Sequence, residues 1–243
     1  MKPFIFETRN GIHVIDLGKT LAQLETACDF LHKTVASGGR VLFVGTKKQA
    51  QQTVTEVAKE SGQFYVAERW LGGMLTNFAT VKKSIGRLKE IEKMDADGSI
   101  NDYVKQEQAM IHRESARLVK YFDGIRTMEK MPAAMFVVDI KREKNAIAEA
   151  RRLKIPIIAL VDTNCDPELT EFPIAANDDA IRSVRMILIT VAQVITNARA
   201  EFESKQARRM NKADEAAPAA PAPAATEVTP AAPVRASRQA LTP

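Results

Sequence analysis

Gly45-Thr46-Lys47-Lys48 follows an apolar run and opens a helical pattern, an arrangement in which free backbone N–H groups and the helix dipole favour a phosphate. The segment lacks the spaced glycines and Lys-Ser/Thr of an NTPase phosphate loop, and the three glycines of a dinucleotide fingerprint. Lys47 and Lys48 suit a nucleic-acid phosphate, and equally suit plain solvation at a helix start. Asp139 and Asp162 each follow an apolar run, where open α/β sheets place ligands, so paired acids there suit magnesium. Yet no Ser, Cys or His is placed to act with them as nucleophile or base. The segment from Glu68 to Phe78 holds the single Trp of the chain. Gly72 and Gly73 permit a tight turn there. Arg69 and Trp70 suit a phosphate clamp and a stacking face for single-stranded RNA; the preferred reading of Trp70 is a core anchor, forming with Gly72 and Gly73 the structural hinge of the element that follows.

These residues need a scaffold, and the apolar pattern supplies one. Short apolar runs at Val41 to Val44, Phe64 to Val66, Ala134 to Val138 and Ile157 to Val161, with weaker ones at Pro173 to Ala175 and Ile12 to Ile15, alternate with helical periodicity. That rhythm is the mark of βα units feeding a parallel sheet. Leu21, Leu24, Cys28, Leu31 and Val35 form one helical stripe ending at Gly38-Gly39; further helices span about Lys48 to Glu60 and Glu143 to Leu153. After Asn177-Asp178-Asp179, which suits a helix cap, Ile181, Val184, Leu188, Val191, Ile195, Ala198 and Phe202 recur at spacings of three and four.

From Phe78 to Met128 the rhythm breaks. Two helical patterns flank Asp95-Ala96-Asp97-Gly98; Phe78, Val81, Ile85 and Leu88 line the first, and Val104, Ile111, Leu118 and Ile125 recur every seven residues on the second. The expectation is a helical hairpin over 78–128 inserted in an α/β domain of residues 1–77 and 129–212. A projecting arm buries little of its own surface, so its length calls for a partner (RNA, a second protein or a second copy), with a packed helical subdomain as the plainer alternative. The last segment, Ala213 to Pro243, holds 12 Ala and 6 Pro among 31 residues, too few large apolar groups to offset ordering entropy, and is expected to be a disordered tail.

The totals narrow the classes. A formal charge of +5 and a pI near 9.2 favour polyanionic partners. Two cysteines and three histidines give neither a disulfide framework nor zinc spacing, which points to a reducing cytoplasm. No apolar run reaches membrane-spanning length. No metal, cofactor, small-molecule substrate or membrane is expected.

Arg69-Trp70-Leu71-Gly72-Gly73-Met74-Leu75-Thr76-Asn77 also carries a resemblance. With Lys2-Pro3-Phe4-Ile5-Phe6, Arg9-Asn10-Gly11, Ile15-Asp16-Leu17, Leu42-Phe43-Val44-Gly45-Thr46-Lys47, Pro132 to Pro156 (Glu149 inside its helix), Val161-Asp162-Thr163-Asn164, Asp166-Pro167 and Asn177-Asp178-Asp179-Ala180-Ile181-Arg182, it resembles the bacterial ribosomal protein S-two family over about residues 1–200. The resemblance implies a flavodoxin-like, three-layer parallel sheet with an inserted coiled-coil hairpin. It also implies binding to small-subunit ribosomal RNA and neighbouring ribosomal proteins, and a part in docking the large mRNA-binding protein S-one. Family members usually carry a further N-terminal segment with His-Phe-Gly-His and Arg-Trp-Asn-Pro-Lys; the chain begins beyond it, and a misassigned start codon is the expected reason.

The resulting expectation is a non-catalytic, cytoplasmic constituent of the small ribosomal subunit, in which Lys47, Lys48, Arg69, Lys82, Lys83 and Arg87 hold RNA phosphates. The rival is a receiver-like or nucleotide-binding α/β enzyme using Asp139, Asp162 and the Gly45 turn, which explains the sheet but not the hairpin.

Overall fold

The computed structural model describes residues 1–215, so the tail expected over Ala213–Pro243 lies, from residue 216 onward, outside the described residues. Its frame is a parallel sheet whose strands are almost wholly apolar because both faces are covered. Strands β3 (Val41–Val44), β4 (Phe64–Val66), β5 (Ala134–Val138), β6 (Ile157–Val161) and β7 (Phe172–Ala175) lie in the order β4-β3-β5-β6-β7. Counted within the sheet this is 2-1-3-4-5, the doubly wound order of the flavodoxin-like fold.

Alternate residues feed two cores. Val41, Phe43, Phe136, Val138, Ile158 and Leu160 face a layer built from α1 (Leu17–Ala36), α2 (Lys48–Ser61) and α6 (Ile181–Glu215). Leu42, Val44, Met135, Val137, Ile157 and Ala159 face α5 (Lys144–Arg152) and the helices that follow β4. In α6, Val184, Leu188, Val191, Ile195 and Ala198 are buried as their spacing predicts, but Ile181 is exposed because the seam begins one turn into the helix. By length and hydropathy α6 would pass for a membrane span; its apolar stripe is instead the inner face of this layer.

Each outer strand of the sheet is covered at one outward-facing position. On β7, the Ala176 N–H bonds Val161 O within the sheet, so Ala175 points outward. Its carbonyl accepts from Thr20 Oγ1 (2.6 Å) and its N–H donates to Gln23 Oε1 (2.9 Å), both from α1. On β4, Val66 O accepts from Gly45 N, leaving the Tyr65 carbonyl outward. There Gly124 packs so closely that a Cβ would lie 2.1 Å from that oxygen.

Between β4 and β5 stand α3 (Phe78–Ala96) and α4 (Lys105–Phe122), joined by a short turn of 3-10 helix at Ser99–Asp102. Phe78, Val81, Ile85, Leu88 and Ile91 of α3 and Leu118 and Phe122 of α4 are buried and continuous with the core under the sheet. The seven-residue stripe expected on the second arm holds only in its lower half. Ile111 is partly buried, while Val104 is 70% exposed at the N-cap of α4, beyond the reach of α3.

The periodicity marks only half of one element, the weak run Ile12 to Ile15. Ile5–Arg9 (β1) pairs antiparallel with Ile12–Ile15 (β2) around Asn10-Gly11, both at positive φ, the turn chemistry that two-residue hairpins require. The hairpin is mostly exposed, with Phe6 and Ile12 at 74% and 70%, so no buried alternation marks it.

Candidate nucleic-acid interface

The carboxyl ends of the parallel strands form the crevice where doubly wound sheets hold ligands. Here the chain fills the crevice itself. Lys47 Nζ, just after β3, lies 2.6 Å from Asp179 and 2.7 Å from Asp178, which follow β7, and 3.7 Å from Asp139, which follows β5. The Lys47 side chain is 13% exposed, so its ammonium is committed inward. This sets Lys47 apart from the other cations expected to hold RNA phosphates. Desolvation opposes the charged form of Lys47, but hydrogen bonds and charge from Asp178 and Asp179 outweigh it and hold the ammonium well above the usual lysine range. Asp178 is pushed up to about 6, chiefly by burial and further by Asp139 and Asp162, against the pull of Lys47.

The phosphate position at the start of α2 is also taken. Buried Glu143, which precedes α5, accepts from Thr46 N (3.1 Å) and from the Thr46 hydroxyl, and Arg142 Nε donates to Thr46 Oγ1 at 2.8 Å. Burial raises the Glu143 carboxyl despite these bonds. Asp139 adopts φ of +70; the turn lets its carboxylate accept from Arg142 N and its carbonyl from Glu143 N, both at 3.1 Å. An internal carboxylate thus stands where an enzyme would cradle phosphate. Asp162, Asp178 and Asp179 are close enough to share a cation, and Lys47 already neutralises two of them. Asn177-Asp178-Asp179 reads in the sequence as a capping cluster; Asn177 Oδ1 accepts from Asp179 N and Ala180 N in the turn just before α6, while Asp178 and Asp179 face Lys47.

At the base of α3 a second internal carboxylate organises the Trp70 segment. Glu149 Oε1 accepts from Trp70 Nε1 (3.0 Å) and Gly73 N (2.8 Å), and Oε2 from Leu75 N, Thr76 N and Thr76 Oγ1, each at 3.0 Å. Burial disfavours its charge, but these donors outweigh it and hold the carboxyl below the usual glutamate range. Trp70, Met74 and Leu75 are buried beneath, so Trp70 is an anchor rather than an exposed stacking face. Gly73 sits at φ +87 and needs glycine, whereas a Cβ on Gly72 would meet nothing and its backbone is ordinary, so only one of the two expected hinge glycines is demanded by geometry.

The other cations expected to touch RNA stay outside. Lys48, Arg69, Lys82, Lys83 and Arg87 are exposed. Arg69 leaves the carboxyl end of β4, next to the β3 end that carries Lys48. Lys83 and Arg87 lie one helical turn apart on α3. Lys82 Nζ rests 5.0 Å from the Phe78 ring, and Arg87 is shared with Glu90 (3.4 Å) and Glu114 (3.7 Å), contacts weak enough at an exposed position to yield to a phosphate.

The chain is thus a doubly wound α/β protein whose ligand crevice is closed by its own ion pairs, with exposed cations left at the start of α2, on the loop after β4 and along α3. The family described as "Ribosomal protein S2" matches residues 1–198. Similar relatives are the "Small ribosomal subunit protein uS2" of Fusobacterium nucleatum subsp. nucleatum, 50% identical over 89% of this chain and 89% of its own, and that of Chlorobium phaeovibrioides, 49% identical over 90% and 86%. That of Treponema pallidum is 50% identical over 82% of this chain and 68% of its own. The chain belongs to the ribosomal protein S2 family and is a structural, non-enzymatic protein of the small ribosomal subunit. The rival enzyme reading falls with this membership.

Proposed function

We propose that the chain binds small-subunit ribosomal RNA with Lys48, Arg69, Lys82, Lys83 and Arg87, while Lys47 serves the interior. The observation that carries this reading is the division of labour among the cations: one is enclosed by three carboxylates, and five beside the same strand ends and along α3 stay exposed. Segment 78–128 acts as an arm laid on folded RNA, and the α/β body of residues 1–77 and 129–212 as its mount. With Trp70 buried, phosphate and shape contacts dominate over base stacking. Protein neighbours in the small subunit, the large protein S-one among them, complete the reading; the exposed apolar side chains of Leu17, Leu21, Ile181 and Met186 are of the kind that such contacts cover. The site of action is the bacterial cytoplasm.

The test is sedimentation of the tagged full chain with small subunits through a magnesium-containing gradient, with crosslinks mapped to residues. Crosslinks from Arg69 and α3 to RNA are expected, together with an affinity that falls steeply as salt rises. A chain that stays at the top of the gradient, or one whose charge-reversed Lys82, Lys83 and Arg87 variant binds unchanged, refutes it.

A further inference from the structure

The segment from Trp70 to Thr76 has little internal bonding: Met74 N reaches Leu71 O (3.2 Å) and Asn77 N reaches Gly73 O (2.8 Å). Its remaining donors converge. The N–H groups of Gly73, Leu75 and Thr76, the Thr76 hydroxyl and the Trp70 indole all aim at one carboxylate. Successive N–H groups turned to one point form a nest that takes an anion, and here the anion comes from α5, more than seventy positions further along the chain. Among the described residues Glu149 makes no ion pair, although Arg151 and Arg152 share its helix. Five donors alone meet its charge.

Arg69 immediately precedes this nest and α3 begins immediately after it at Phe78. The same carboxylate therefore determines where the Arg69 side chain leaves the sheet and how α3, with Lys82, Lys83 and Arg87, is seated. We infer that Glu149 is a positioning residue for RNA binding: an acid that never touches RNA, and that holds the basic loop and the first helix in the placement the phosphates require. The inference rests on the RNA reading above. Its low proton affinity fits, since an ionised carboxylate is what five donors demand.

The geometry separates this role from simple packing. In Glu149→Gln one acceptor oxygen becomes an NH2 group facing N–H donors, so the near-isosteric variant is expected to fail almost as fully as Glu149→Ala. In Glu149→Ala the nest is open and small enough for formate to enter.

The experiment uses the full-length chain and small subunits depleted of the endogenous protein. Trp70, the single Trp, reports the nest by its emission, and co-sedimentation reports binding. Wild-type chain is expected to bind, and Glu149→Ala and Glu149→Gln to bind about tenfold more weakly, the scale of one charge-assisted hydrogen bond lost at the interface. Sodium formate, but not sodium chloride at equal concentration, is expected to restore both emission and binding to Glu149→Ala. If that variant does not fold, Thr76→Val, which removes the hydroxyl bond and so one of the five, is expected to shift both readouts partway. Failure of the wild type to bind overturns the RNA reading and this inference with it. Wild-type binding matched by folded Glu149 or Thr76 variants overturns only the inference. So does formate that restores emission and leaves binding weak.

Discussion

Replacing Lys47 by Met removes the cation from a crevice that holds Asp139, Asp178 and Asp179, with Asp162 beside them. Deleting one partner of a buried pair costs about 3–5 kcal/mol, because the other charge is left uncompensated. The exposed Asp179 side chain (71%) adds little to that figure, whereas Asp178 (3%) carries most of it. The sign of the pH effect follows from Asp178. Its carboxyl in the folded protein titrates at about 6, above the ~3.9 of an unfolded chain. Between those values the folded state keeps a proton that the unfolded state has lost, so stability falls as pH rises through that window. Without Lys47 the carboxyl holds its proton to still higher pH, and the window widens upward at about 1.4 kcal/mol per unit. The variant should lose about 1 kcal/mol at pH 5, where Asp178 is protonated in both proteins, and about 3 kcal/mol at pH 8. For a body of this size, that corresponds to roughly 6–12 °C in Tm at the higher pH. Thermal and urea unfolding at both pH values measure it. Adding Asp178→Asn should recover most of the loss at pH 8. Equal losses at pH 5 and pH 8, or no recovery in the double variant, refute the account of the crevice as a charge cluster closed by Lys47.

Four further outcomes are expected. Gly124→Ala pushes a methyl against the Tyr65 carbonyl and should destabilise by about 3 kcal/mol or more, read by urea unfolding, since backbone cannot yield as a side chain can. Leu88→Ala, at a fully buried α3 position, should cost about 2–5 kcal/mol, with hydrogen exchange rising first along α3 and α4. Neutralising Lys82, Lys83 and Arg87 to Gln should lower the slope of log affinity against log salt by about one for each side chain that holds a phosphate, measured by co-sedimentation across a salt series. Because the Glu149 carboxyl is held below its ordinary value, its contribution is present above an unfolded pKa of ~4.3 and is lost as pH falls through the folded value; Trp70 emission should therefore change on acidification before global circular dichroism does.

The sheet was readable because its strands are covered on both faces, so that Ala134–Val138 and Ile157–Val161 are unbroken apolar runs. The helix pair was readable in outline, since Phe78, Val81, Ile85 and Leu88 keep a helical spacing where no strand pattern occurs. Exposed structure was harder. The β1–β2 hairpin buries almost nothing; Ile12–Ile15 showed only as a weak run, and Asn10-Gly11 was the signal that could have joined β1 to it. The site depended on pairings that no local pattern carries: Lys47 reads as a surface cation beside Gly45 until β7 brings Asp178 to it across 131 positions. Glu149 reads as one acid in an exposed helix pattern until the turn after Trp70 closes around it. Residue type and strand-end position identified the crevice; only the fold shows that its ligands are its own side chains.

The treatment of the outer strands bears on the life of the chain before it joins a particle. A ribosomal protein is made separately from its RNA, and an open parallel edge would meanwhile offer a template for strand addition by other nascent chains. Thr20 and Gln23 occupy the outward amide and carbonyl of Ala175, and Gly124 shields the outward carbonyl of Tyr65. At these two positions the sheet edge is covered by covalently attached neighbours rather than by a partner, which leaves less of it open to strand addition.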